Sequence, residues 1–120
     1  MIVILSSVFD LEECVIMNFN IVYARNLDIY VKEKNALLID IRSERLYDEC
    51  HWDAAVSMPF ETTDSYEKLL ATNRPVVFYC EHGGSSMQLA RYLGKKGYDT
   101  ATVIGGFEAM KKFLEKCFKK

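Results

Sequence analysis

Val76-Val77-Phe78-Tyr79-Cys80-Glu81-His82-Gly83-Gly84-Ser85-Ser86 is the stretch on which the reading of the fold turns. Pro75 precedes an unbroken apolar, β-prone run, the pattern of a strand covered on both faces. Gly83 and Gly84 are free to take positive φ, so the chain can wrap a small volume with its N–H groups pointing inward. Ser85 is placed to cap a helix, and Gln88 three residues on completes a capping-box pattern. Met87, Leu89, Ala90 and Leu93 then recur at helical spacing up to Lys95-Lys96-Gly97, a basic last turn with a glycine stop. Strand, tight turn and helix start together set Cys80 in a cup of backbone donors at the positive end of a helix. Such surroundings favour the nucleophilic thiolate over the thiol.

Free cysteine is among the most buried residue types, so the plain alternative for any cysteine is a packing role. Cys14, Cys50 and Cys117 lack the surroundings of Cys80. Cys117 shares an apolar helical stripe with Met110, Phe113 and Leu114 and is read as core packing. No cysteine spacing suits zinc, and a set built from Cys50, His51, Cys80 and His82 is rejected on that ground. No metal or other cofactor is expected.

Outward from the central stretch, apolar strand candidates alternate with helical ones. Asn18–Tyr23 and Ala36–Ile41 read as strands, with a helix over Leu27–Lys34 between them, capped by Asn26 and ended by Asn35. Ser43 caps a short helix over Glu44–Glu49, and Ala54–Met58 is a brief strand closed by Pro59. Asp64 and Glu67 open a helix through Leu70. After the Cys80 helix come a strand over Thr100–Ile104, a Gly105-Gly106 turn and a helix from Phe107 to about Phe118. This alternation predicts an α/β fold with a mostly parallel sheet. In such sheets ligands bind beyond the carboxyl ends of the strands, where both Asp40 and Cys80 fall. Met1–Leu5 is a short strand candidate, and Phe9–Ile16 a weak helical turn or loop.

With 120 residues, half of them hydrophobic, the chain suits one core. A net charge of −2 without a basic stripe argues against a nucleic-acid partner. The sparse cysteines fit a reducing, cytoplasmic setting. Met1–Leu5 is too short to span a bilayer and lacks the basic lead of a secretion signal, so no membrane role is expected. The expected state is a monomer or weak homodimer.

Two segments carry a family resemblance. Leu38-Ile39-Asp40-Ile41-Arg42-Ser43, with Tyr47 and His51-Trp52-Asp53-Ala54-Ala55-Val56-Ser57-Met58-Pro59, resembles the first signature of rhodanese domains. Arg74–Cys80, the glycine loop and Gly97-Tyr98 through Gly105-Gly106-Phe107-Glu108-Ala109 resemble the second. The loop from Cys80 to Ser86 is similar to that of small bacterial single-domain thiosulfate sulfurtransferases, which read Cys-x-His-Gly-x-Ser-Ser. The resemblance covers about residues 18–118. It implies a rhodanese-like three-layer α/β/α sandwich around a mostly parallel five-stranded sheet, within a domain spanning 17–120. Residues 1–16 are then an N-terminal extension. It also implies a cysteine cycling between thiolate and persulfide, a role that carries over to Cys80 alone. The chain departs from the family at Asp53, Ala54 and Cys50, where proline and two glycines are usual, and at Met110, where a large aromatic is usual. Many family loops carry an arginine, and this one carries none.

The expected chemistry moves a sulfane sulfur from thiosulfate or a persulfide, through Cys80, to a thiol, to cyanide or to a protein sulfur carrier. The N–H groups of residues 81–86, the hydroxyl of Ser85 or Ser86 and the helix dipole surround the anion. Glu81 is read as solvated, its charge opposing thiolate formation and anionic donors. His82 carries either a proton-transfer or a loop-shaping role. Asp40 and Arg42 are read as a structural pair, with Glu44 as the alternative carboxylate. His51 is read as a buried hydrogen-bonding residue at the turn. Two competing readings stand beside this one. A phosphatase or arsenate reductase needs an arginine six positions after the cysteine, where Ser86 stands. A carrier-type or non-catalytic module keeps the fold and passes persulfide sulfur only to a protein partner.

Overall fold

The structure, a computed structural model, describes residues 18–60 and 73–118, with side chains through Glu115. Five strands, β1 (Asn20–Val22), β2 (Leu37–Asp40), β3 (Val56–Ser57), β4 (Val76–Tyr79) and β5 (Thr100–Val103), form one sheet in the order β1-β5-β4-β2-β3. Every pairing in it is parallel. Among the described residues four α-helices accompany them: α1 (Leu27–Lys34), α2 (Glu44–Glu49), α3 (Gly84–Lys95) and α4 (Gly106–Phe118). The expected strand at 1–5, the weak helical turn or loop at 9–16 and the helix through Leu70 lie outside the described residues, as does Cys14.

β4 is buried along its whole length, and its alternation divides the interior in two. Val76, Phe78 and Cys80 face one core with Ile39, Leu89, Ala90 and Leu93, under α3. Val77 and Tyr79 face the other, with Leu27, Leu38, Val103, Phe107 and Met110, under α1 and α4. Helices therefore cover both faces of the sheet, as the unbroken apolar strands predict, and give the α/β/α sandwich that the family resemblance implies.

Local signals decide most element ends. Asn35 adopts φ 52° and ends α1, as its position predicts. Ser43 Oγ accepts the Leu46 N–H at 3.3 Å and caps α2. β4 spans its whole apolar run, whereas β1, β2, β3 and β5 are shorter than the runs expected for them. Two expected caps are corrected. Asn26 caps nothing with its side chain; it closes a 3-10 turn over Ala24–Asn26, its N–H on Tyr23 O at 2.9 Å. Ser85 is not the cap of α3 either. Gly83 is, at φ 105°, a conformation strained for any residue with a Cβ, and its carbonyl accepts the Met87 N–H at 3.1 Å. The helix thus starts two residues earlier than a serine cap predicts.

Candidate active site

Cys80 lies just past β4, 8% exposed, at the carboxyl edge of the sheet. Two amides converge on its sulfur: Gly83 N–H at 3.1 Å and Ser86 N–H at 3.4 Å. Ser86 Oγ stands 3.5 Å from Sγ. That hydroxyl is fully buried and held by Gly83 O at 3.2 Å and Thr102 Oγ1 at 2.7 Å. Of the two serines expected in the cup, the buried Ser86 reaches the sulfur, while Ser85 is exposed and lines the opening. Gly84 lines the opening too.

The loop's amides point inward because its carbonyls are held elsewhere. Phe107 N–H binds Cys80 O at 2.7 Å and Glu108 N–H binds Glu81 O at 3.1 Å, so the first turn of α4 takes both. This approach requires Gly106: a Cβ there would meet Cys80 O at 2.5 Å and Glu81 O at 2.6 Å. Sequence reasoning missed Thr102 and the α4 contact. The Gly105-Gly106 pair was the available signal for the second; the threonines at 100 and 102, alternating with apolar residues in β5, hinted at the first.

Arg42 joins the site from the end of β2. Asp40, wholly buried, receives the Arg42 backbone N–H at 2.9 Å, Nε at 3.0 and 3.1 Å, and Nη2 at 2.7 Å. Nη2 also donates to Cys50 O at 2.6 Å, and Nη1 to Glu81 Oε1 at 3.2 Å. The ring of Phe107 lies 4.0 Å below the guanidinium carbon. Burial alone would lower this group's pKa, but the hydrogen bond and charge of Asp40, then the bond to Glu81, outweigh it and hold it above its ordinary value. The expected Asp40–Arg42 pair is present, and Glu44 is not its partner. Glu81 is corrected: it is not freely solvated but paired with Arg42, its side chain 40% exposed. Tyr79 sits beneath, its hydroxyl accepting the Trp52 N–H at 3.1 Å, and burial holds its phenol protonated far above the usual range.

The two histidines lie apart. His82 is exposed at the mouth of the Cys80 pocket, its Nδ1 3.3 Å from Glu108 Oε1. His51 is corrected from a buried to an exposed residue: its ring stacks on Tyr47 at 3.7 Å and its Nδ1 lies 2.7 Å from Tyr47 O. It lines not the Cys80 pocket but a second cavity of about 510 Å³, with Cys50, Trp52, Phe107, Val31 and Lys111. Among the described residues no group of histidine, cysteine and carboxylate side chains is placed to hold a metal ion, and no helix is long and apolar enough to cross a membrane.

Comparison with known proteins agrees with this architecture. The rhodanese-like domain family model matches residues 24–113. A thiosulfate sulfurtransferase of Coxiella burnetii, GlpE, is 32% identical over 82 residues, 68% of this chain and 77% of that protein. A rhodanese homolog of Thermus thermophilus superposes with TM-score 0.61 at 30% identity, over 75% of this chain and 99% of that one. The reduced CoADR-RHD of Bacillus anthracis superposes with TM-score 0.72 at 21% identity, a likeness of fold alone. That match spans 82% of this chain but 18% of the longer one. With its parallel sheet and most of its length matched, the chain belongs to the rhodanese-like domain family.

Proposed function

We propose that this protein is a sulfurtransferase in which Cys80 carries the transferred sulfur. The observation that bears most on this is the convergence of the Gly83 and Ser86 amides, with the Ser86 hydroxyl alongside, on a nearly buried sulfur. The two amides are donors fixed in place; they stabilise negative charge without reorganising and serve a thiolate and a persulfide anion alike. The relative named for thiosulfate sulfurtransfer supports the same reaction class.

The Cys80 thiolate attacks the outer sulfur of thiosulfate or of a persulfide. A new S–S bond forms, the donor's S–S bond breaks, and sulfite or a thiolate leaves with the electron pair. Cys80 then holds a persulfide whose outer sulfur is taken by a thiolate or by cyanide, and the Cys80 thiolate returns. No net oxidation occurs. Asp40 and Arg42 act as positioning residues, fixing the loop after β2 against the loop after β4. His51 takes no part, since it lines a different cavity.

Turnover with cyanide as acceptor tests the assignment. Cys80→Ser abolishes it, while replacing Cys14, Cys50 and Cys117 together leaves it largely intact. Turnover that survives Cys80→Ser sinks the proposal.

A further inference from the structure

We infer that Glu81 selects the class of sulfur donor by occupying the guanidinium that borders the Cys80 pocket, favouring persulfides on uncharged or protein-borne thiols over small dianions. The inference rests on the reading of Cys80 as the sulfur-carrying nucleophile. Sequence alone places Glu81 in a loop without arginine. The structure adds an arginine from outside the loop and shows it already engaged.

Among the lining residues of the pocket, Arg42 supplies a guanidinium, Glu81 a carboxylate and His82 an imidazole already beside Glu108. The Nε and Nη2 donors of Arg42 are taken by Asp40 and the Cys50 carbonyl, and Nη1 faces Glu81. Two carboxylates share one guanidinium, so the group of three carries a net negative charge. Exposure decides which member an incoming donor meets: the Arg42 side chain is 4% exposed and that of Glu81 is 40%. An anion reaching for Arg42 must also displace a carboxylate tethered one residue from the nucleophile, and such a partner competes at high effective concentration. A dianion is therefore repelled at the mouth and refused its cation. A persulfide on an otherwise uncharged thiol carries at most one negative charge, and none when protonated, so it meets both obstacles less. In the protonated form its outer sulfur bonds to Sγ, its inner sulfur leaves as the thiolate, and the proton on the outer sulfur passes to solvent.

The test is the rate at which Cys80 gains sulfur from thiosulfate and from 2-hydroxyethyl persulfide, read by mass. Removing one charge a few ångströms away in a water-like medium changes such a rate about fivefold. Glu81→Gln is expected to raise the ratio of thiosulfate to persulfide loading by about that factor. Added salt is expected to raise thiosulfate loading in the wild type and much less in Glu81→Gln. Glu81→Asp, which keeps the charge, retains the wild-type ratio and separates charge from any disturbance of the loop. An unchanged or lower ratio in Glu81→Gln overturns the inference while leaving the sulfurtransferase reading intact. Failure of both donors to load Cys80 overturns that reading, and this inference with it.

Discussion

Arg42 ties together two cysteine–histidine turns that differ in what faces the sulfur. Its Nη1 reaches the turn of Cys80 and His82 through Glu81, and its Nη2 reaches the turn of Cys50 and His51 through a carbonyl. At Cys80 the backbone passes through Gly83 at φ 105°, and two amides and a hydroxyl close on a nearly buried thiol. Cys50 is exposed and in extended backbone, offering Arg42 its carbonyl. Its histidine is spent on stacking with Tyr47. Nearness to a buried arginine is common to both turns, so it does not distinguish a reactive cysteine. Amide direction does, and glycine with positive φ sets it.

The largest effect falls on what the turns share. Arg42→Met leaves Asp40, wholly buried, without its countercharge, and removing one partner of such a pair costs about 3–5 kcal/mol. Denaturant unfolding measures the loss, and hydrogen exchange should rise in both turns; a rise in one alone would break the symmetry drawn here. Next is Gly106→Ala. A Cβ at φ 65° pressed against the carbonyls of Cys80 and Glu81 costs about 1–3 kcal/mol and turns the amide cup away from Sγ. Sulfur loading of Cys80 slows, whereas alkylation of exposed Cys50 keeps its rate; equal slowing of both would show that the cup is not the difference. The smallest effect has the opposite sign. Ala54 holds φ 72° in the Cys50 turn, at a position where rhodanese domains usually have glycine. The left-handed conformation costs an L-residue roughly 1–2 kcal/mol, partly offset by the entropy that glycine loses. Ala54→Gly should therefore stabilise by about 0.5–1 kcal/mol and raise Tm by a few degrees, with sulfur loading unchanged.

The sheet and the position of Cys80 were legible because their signals are local. Unbroken apolar runs such as Val76–Tyr79 and Leu37–Ile39 mark covered strands, and Asn35 and Ser43 mark helix ends by their own chemistry. What escaped depends on contacts between distant segments. The Arg42–Glu81 pair spans 39 positions and the Ser86–Thr102 bond 16, and no spacing rule connects either. Ser85 misled because its sequence context suits a cap, yet Gly83, at φ 105°, takes that position and the helix starts earlier. His51 misled in the same way: its neighbours Trp52 and Ala55 are buried, but the ring itself turns outward onto Tyr47.

The central claim is that sulfur resides on Cys80, and peptide-resolved mass measurement addresses it most directly. The intact protein is incubated with thiosulfate or with 2-hydroxyethyl persulfide, freed of donor and digested, with and without a cyanide wash. The account predicts one added sulfur atom on the peptide containing Cys80, none on that containing Cys50, and its removal by cyanide. Sulfur on Cys50, or a Cys80 left unmodified by both donors, would contradict it.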